Sequence, residues 1–327
     1  MKYDNFKIED DDLPECLNRF FNYSETIRGK SNTTISGYKN DLTMFFRFMK
    51  LHKNIVSKKY DFEKIKINDI DDTFLNNIKL NDLYAFISFT EKYKSNGNCA
   101  RARKVASLKS FFKYLHDKIK IIDENPTLEL ESPKIEKRNP VYLSLDESKS
   151  LLNAIDGKYK ERDYCIMTLF LNCGLRLSEL CGIDISRIKD DILTVIGKGN
   201  KERTIYLNDA CLKALESYLK IRNKDINKII DKDALFLSKN YKRIGKRSIE
   251  LMLKKYLAKA NLDTNKYTPH KLRHTAATLM YKYGNVDIRS LQEILGHANV
   301  STTQIYTHVD DEQLRKATNS NPLNMIG

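Results

Sequence analysis

Ile192-Leu193-Thr194-Val195-Ile196, Gly197-Lys198-Gly199-Asn200-Lys201 and Arg203-Thr204-Ile205-Tyr206-Leu207 lie almost end to end in the second half of the chain. The outer runs are rich in β-branched residues, and the middle run carries two glycines between cations. Together they read as strand, turn and returning strand. Elsewhere the apolar residues recur mostly at spacings of three and four, which is helical. One small antiparallel sheet in a helical chain sets the expected fold class: mainly α. It has an N-terminal helical domain and a C-terminal mixed α/β domain, mostly helical with a small antiparallel sheet.

Downstream of the hairpin, helices are expected over 211–222, 248–260, 270–283, 288–295 and 302–306. Upstream, an apolar helix over 163–173 ends at Gly174. Ser144 and Glu147 have the spacing of a capping box and open a further helix. Before it, residues 117–142 hold three of the chain's six prolines, Pro126, Pro133 and Pro140, around the charged run 134–138. Proline disfavours helix at its own position and the one before. The domains are therefore expected to be 1–134 and 135–327.

In the N-terminal domain, residues 31–50 form the first clear helix, with Ser31 or Asn32 as its cap. A charged loop over 53–66 and a helix over 81–93 follow. Residues 95–98, Ser-Asn-Gly-Asn, signal a turn. The helix over 100–116 has an apolar stripe of Val105, Leu108, Phe111, Phe112 and Leu115. Cations, including Arg101, Arg103, Lys104 and Lys109, occupy the remainder. Such a helix can pack on its own domain and present cations to phosphates; an ordinary solvated face is the competing reading.

The 327 residues hold 57 Lys and Arg against 43 Asp and Glu, a net charge of +14, with a pI near 9.3. Such a field attracts polyanions, nucleic acid first. An AT-biased, Lys-rich genome would produce the same balance. No apolar run approaches the roughly 20 residues of a spanning helix. The acidic start is unlike a secretion signal. The six cysteines are scattered without a CxxC pair. Cys165, Cys173 and Cys181 fall in apolar helical surroundings, as core residues in a reduced cytoplasm would. Collagen, membrane span, disulfide scaffold and zinc ribbon are excluded.

Six polar residues stand where chemistry is possible. Arg176 follows the helix end at Gly174, Lys198 sits at the hairpin tip, and His270 and Arg273 share one face at a helix start. His297 follows Gly296 at a helix end, and Tyr306 lies in the last expected helix. Without carboxylate or thiolate among them they make a poor metal site. They suit a phosphodiester. Guanidiniums bind non-bridging oxygens, histidines stabilise growing charge, a lysine protonates a leaving alkoxide, and a tyrosine can attack phosphorus.

The strings Cys173-Gly174-Leu175-Arg176-Leu177-Ser178-Glu179-Leu180, Val195 to Arg203, Thr268-Pro269-His270-Lys271-Leu272-Arg273-His274-Thr275-Ala276-Ala277 and Leu295-Gly296-His297 to Tyr306 resemble the tyrosine recombinases, the phage integrase family, most closely their Xer type. The resemblance implies a helical core-DNA-binding domain and a catalytic domain that clamp DNA. It implies that Arg176 and Arg273 bind the phosphate, Lys198 protonates the departing 5′ oxygen, His270 and His297 assist, and Tyr306 is the nucleophile. It implies no cofactor and no metal. The expected partners are double-stranded DNA, a homo-tetramer or hetero-tetramer with a paralogue on two sites, a tail exchanged between protomers, and a septal DNA translocase of the FtsK type. Lys201, Arg243, Lys246 and Arg247 join Arg101, Arg103, Lys104 and Lys109 as candidate DNA contacts.

About 30 residues precede the first clear helix, too few for an arm-binding domain, which favours the Xer type and chromosome-dimer resolution at a dif-like site. A mobile-element or phage enzyme, a topoisomerase IB-like relaxing enzyme and a non-catalytic DNA binder are the alternatives. Strand exchange after cleavage separates the first two, and a pure binder has no need of all six residues.

Overall fold

The computed structural model describes residues 11–135, 140–197, 202–284, 286–296 and 303, apart from the side chains at 225 and 226. The chain divides into two compact units, Met1–Lys137 and Arg138–Gly327.

The first unit holds α1 (Glu15–Asn22), α2 (Asn32–His52), α3 (Asp72–Asn76), α4 (Leu80–Lys92) and α5 (Asn98–Asp117). The sequence reading began at α2 and missed α1. That helix is only eight residues long, continues into a π-turn over Tyr23–Ile27 and is held by Leu17, Phe20 and Phe21 in the core. The short α3 was also missed; the Asp71 carboxylate caps it by accepting from the Phe74 N–H at 2.8 Å. The loop over 53–66 is as expected, with one 3-10 turn, Phe62–Lys64.

The core of this unit is aromatic. Phe45 meets Phe86 edge-on at 5.2 Å, Phe46 meets Phe111 at 5.8 Å, and Phe20 meets Phe111 at 5.4 Å. Edge-to-face pairs add about 0.5–1.5 kcal/mol each beyond the area they bury. Rings at i and i+1 do not share a helix stripe, so Phe45 and Phe46 reach different neighbours and tie α2 to both α4 and α5.

The second unit opens with α6 (Leu145–Asn153). Its capping box is formed: the Glu147 N–H donates to Ser144 Oγ at 3.1 Å, and the Ser144 N–H donates to Glu147 Oε2 at 2.7 Å. The central helix, α7 (Lys160–Cys173), is buried on most sides and packs against α9 (Asp209–Arg222) and α11 (Pro269–Tyr283). Between α7 and α9 lie α8 (Leu177–Cys181) and a sheet of β1 (Ile188–Lys189), β2 (Ile192–Ile196) and β3 (Glu202–Tyr206), all antiparallel in that order. The remaining helices are α10 (Lys246–Lys259) and α12 (Ile288–Leu295).

In the hairpin, Leu193 pairs with Ile205 and Val195 with Arg203. Strand parity sends Leu193, Val195 and Ile205 into the core, and leaves Ile192, Ile196 and Tyr206 exposed. Arg203 therefore lies on the core-facing side. Cys165, Cys173 and Cys181 are buried and unbridged. No helix among the described residues is long and apolar enough to cross a membrane.

Candidate active site

The site is built where four helix ends meet: the ends of α7 and α12 and the starts of α8 and α11. α7 stops at Gly174, whose φ of 58° is left-handed. A Cβ there would come within 2.8 Å of Leu295 Cδ2, so this turn requires glycine for its backbone and for its packing against α12. Two residues later Arg176 stands at the N-cap of α8. Proline at the first position of α11 fits its missing donor and fixed φ, and puts His270 and Arg273 in that helix's first turn and a half.

Arg176 and Arg273 converge on one carboxylate, Glu179. Its side chain has no solvent exposure. Arg176 Nη1 donates to Glu179 Oε1 at 2.6 Å, and the Arg176 N–H donates to Oε2 at 2.8 Å. Arg203 Nη2 donates to Oε2 at 2.9 Å. Arg273 Nη1 lies 3.8 Å from Oε2. Burial alone would raise the Glu179 pKa. The Arg203 guanidinium, then Arg176, outweigh it and hold the group below the usual carboxylate range.

The same arginines cap the end of α12. The last carbonyls of a helix lack partners within it and carry its negative dipole end. Here Ile294 accepts from Arg203 Nη1, Leu295 from Arg273 Nη2, and Gly296 from Arg176 Nη2 at 3.1 Å. Arg273 also donates to the Gly174 carbonyl at 2.6 Å. Gly296 has φ 63°, and a Cβ there would meet Arg203 Cδ at 2.7 Å. Three consecutive carbonyls are thus held by three arginines that share one acid.

Arg176 is the accessible member, with a side chain 35% exposed and, among the described residues, two of its five side-chain donors directed at protein partners. His270 faces solvent beside it, its ring edge-on to His274 with centroids 4.5 Å apart. Crowding by protein atoms, then the charges of Lys271, Arg273 and Arg176, push its pKa below 6.5. The ring is therefore neutral at pH 7 and able to accept a proton or a hydrogen bond.

Of the six expected site residues, the structure brings together Arg176, His270 and Arg273. Lys198, His297 and Tyr306 lie outside the described residues, as does Lys201. Thr303, in the same expected helix as Tyr306, is fully buried. Glu179 and Arg203 join the site beyond the residues expected from the sequence. Both had a readable signal: an acid three positions after Arg176 between Leu177 and Leu180, and a charge on the inward parity of a strand.

The candidate DNA contacts divide by burial. Lys104 is a correction: it is buried and its Nζ lies 3.1 Å from Asp41 Oδ1, so it neutralises an acid inside the first unit. Arg103 joins the same carboxylate, with Ser107 Oγ donating to it at 2.8 Å. Arg101 is largely covered and pairs with Glu91 at 2.5 Å. Arg243 is held by Asp184 at 2.5 Å and by the Ile183 carbonyl at 3.1 Å. Lys109, Lys246 and Arg247 are exposed.

The phage integrase family matches residues 142–313. Tyrosine recombinase XerC of Caldanaerobacter subterraneus subsp. tengcongensis is 59% identical over 310 residues, 95% of this chain and 87% of that protein. A crystal structure of XerH site-specific recombinase bound to palindromic difH substrate, a post-cleavage complex, matches with a TM-score of 0.70 at 21% identity, covering 93% of this chain and 84% of that one. A lambda integrase tetramer bound to a Holliday junction matches with a TM-score of 0.62 at 18% identity, covering 88% and 77%. This chain belongs to the phage integrase family and is a tyrosine recombinase of the Xer type, an enzyme that cuts and rejoins DNA.

Proposed function

We propose that this recombinase resolves chromosome dimers at a dif-like site, as a tetramer on two DNA duplexes. The observation that carries the chemistry is the convergence of Arg176 and Arg273 on the buried Glu179, with His270 beside them. In this reading Arg176 and Arg273 hold the non-bridging oxygens of the scissile phosphate. Tyr306 Oη forms a bond to phosphorus as the bond from phosphorus to the 5′ oxygen breaks, leaving a 3′-phosphotyrosyl link and a 5′-hydroxyl. Lys198 delivers the proton to the departing oxygen. A free tyrosine has a pKa near 10, so its proton must leave as it attacks; the nearby cations favour that loss, and His270 and His297 assist the transfer. The 5′-hydroxyl of a partner strand then reverses the step. The phosphotyrosine conserves the bond energy, so neither ATP nor a metal is required.

Residues 1–134 are proposed as the core-DNA-binding domain and 135–327 as the catalytic domain, working in the cytoplasm. The net charge of +14 supports a DNA partner, as does the DNA-bound XerH complex, and the lambda integrase tetramer on a Holliday junction supports a tetramer. A paralogous subunit and a translocase of the FtsK type complete the proposal. The test is a supercoiled plasmid carrying two dif-like sites. Recombinant circles support the reading. Relaxation without exchange points to topoisomerase-like action, and exchange only at mobile-element ends points to an integrase.

A further inference from the structure

We propose that Arg203 is a positioning residue for DNA cleavage: it fixes Glu179 and the end of α12 relative to each other, and through them the two phosphate-binding arginines. The proposal rests on the roles given above to Arg176 and Arg273.

Arg203 faces inward because strand parity puts it with Ile205, opposite Val195. Its side chain is 12% exposed. One nitrogen, Nη2, holds Glu179 Oε2 at 2.9 Å, and the other, Nη1, holds the Ile294 carbonyl. Its Cδ fills the space that a side chain at residue 296 would need. One guanidinium thereby joins β3, α8 and α12. The planar fork of arginine suits two acceptors at fixed separation, and a lysine ammonium on a flexible stem does not.

The third nitrogen, Nε, is buried and has no hydrogen-bond partner among the described residues. Leaving that donor desolvated offsets part of what the ion pair with Glu179 contributes to stability. What the arginine also supplies is geometry. Glu179 also binds Arg176 and lies 3.8 Å from Arg273. The carbonyls after Ile294, those of Leu295 and Gly296, bind Arg273 and Arg176. A shift of the Arg203 anchor moves Glu179 and the α12 carbonyls that Arg176 and Arg273 hold.

Among the described residues, the charged groups facing Glu179 are Arg176 from the turn before α8, Arg203 from β3 and Arg273 from α11, while α12 contributes carbonyls. Removing Arg203 takes away the strongest force opposing burial of the Glu179 charge. In that variant Glu179 takes up its proton at higher pH than in wild type, and we expect the acid limit of cleavage to rise with it.

The test compares wild type, Arg203→Met and Arg203→Lys on a nicked suicide duplex carrying a dif-like site, following protein–DNA adduct formation across pH, DNA affinity and melting temperature. Arg203→Met is expected to slow adduct formation by about 10²-fold, the scale of an ångström of misplacement, with affinity retained and the acid limb moved up. Arg203→Lys returns the limb toward wild type but leaves the rate low, because an ammonium cannot span both acceptors. If the Met variant does not fold, the Lys variant carries the comparison. Wild-type rates in either folded variant overturn the positioning role. So does a fall in melting temperature and rate with the acid limb unmoved. Absence of any adduct in wild type instead defeats the underlying reading of Arg176 and Arg273, and the role of Arg203 falls with it.

Discussion

Glu179 and Arg273 reach each other from distant parts of the chain, with their charged groups 3.8 Å apart and side chains 0% and 3% exposed. A buried acid between guanidiniums lets Arg176 and Arg273 stand close together. Without it, like charges in a dry site would repel.

Replacing the acid should therefore damage stability and chemistry together. Removing one partner of a buried ion pair typically costs about 3–5 kcal/mol. Glu179→Gln keeps the shape and loses the charge. It is expected to lower the melting temperature and to slow adduct formation by about 10²-fold, on the scale of lost positioning. Thermal unfolding and adduct kinetics on the same preparation check both, and wild-type kinetics in a folded Gln variant would contradict the account.

His270 gives a prediction in pH. Its folded pKa lies below the ordinary 6.5. Between these two values the unfolded chain binds more protons, so the stability from this group is intact above about 6.5 and is lost as pH falls toward the folded value. NMR titration of the His270 ring should give a midpoint below 6.5 in the free protein. A phosphodiester beside it should raise that midpoint, because an anion favours the imidazolium. A midpoint above 6.5 without DNA would remove the neutral proton acceptor from the mechanism.

Gly174 tests the meeting of helix ends. Gly174→Ala combines a left-handed backbone with a Cβ 2.8 Å from Leu295 Cδ2. Non-glycine residues held in that region cost of order 1–3 kcal/mol. The expected outcome is a lower melting temperature and slower cleavage, as α12 moves away from Arg273. An unchanged melting temperature would mean that α7 and α12 are less tightly joined than described.

Two lysines of α5 should separate by readout. Lys104→Ala leaves Asp41 short of a buried partner and should lower stability. Lys109→Ala should leave the melting temperature alone and, if that face meets DNA, reduce the salt slope of binding by roughly one. Binding isotherms at several salt concentrations with thermal melts distinguish them. The reverse pattern would overturn the assignment.

The contrast between these lysines marks where the sequence was legible. Arg101, Arg103, Lys104 and Lys109 looked alike as cations beside an apolar stripe, but their neighbours differ. Lys104 adjoins Val105 and meets Asp41 of α2, a pairing that spacing within α5 cannot reveal. Arg176, His270 and Arg273 were legible because their local strings are distinctive. Glu179 stood inside one of those strings, yet its role depends on Arg203 and Arg273, which only the tertiary fold delivers. The long helices and the hairpin were readable from periodicity. α1, α3 and β1 were not, because eight, five and two residues are too short to display a period.

The measurement nearest the central claim uses a nicked suicide duplex carrying a dif-like site, incubated with wild type and with Tyr306→Phe and resolved on a denaturing gel. The account predicts a protein-linked DNA band for wild type, none for Tyr306→Phe, and equal DNA affinity for the two. A covalent band that persists in Tyr306→Phe would contradict it, since the phosphorus would then be held by another residue.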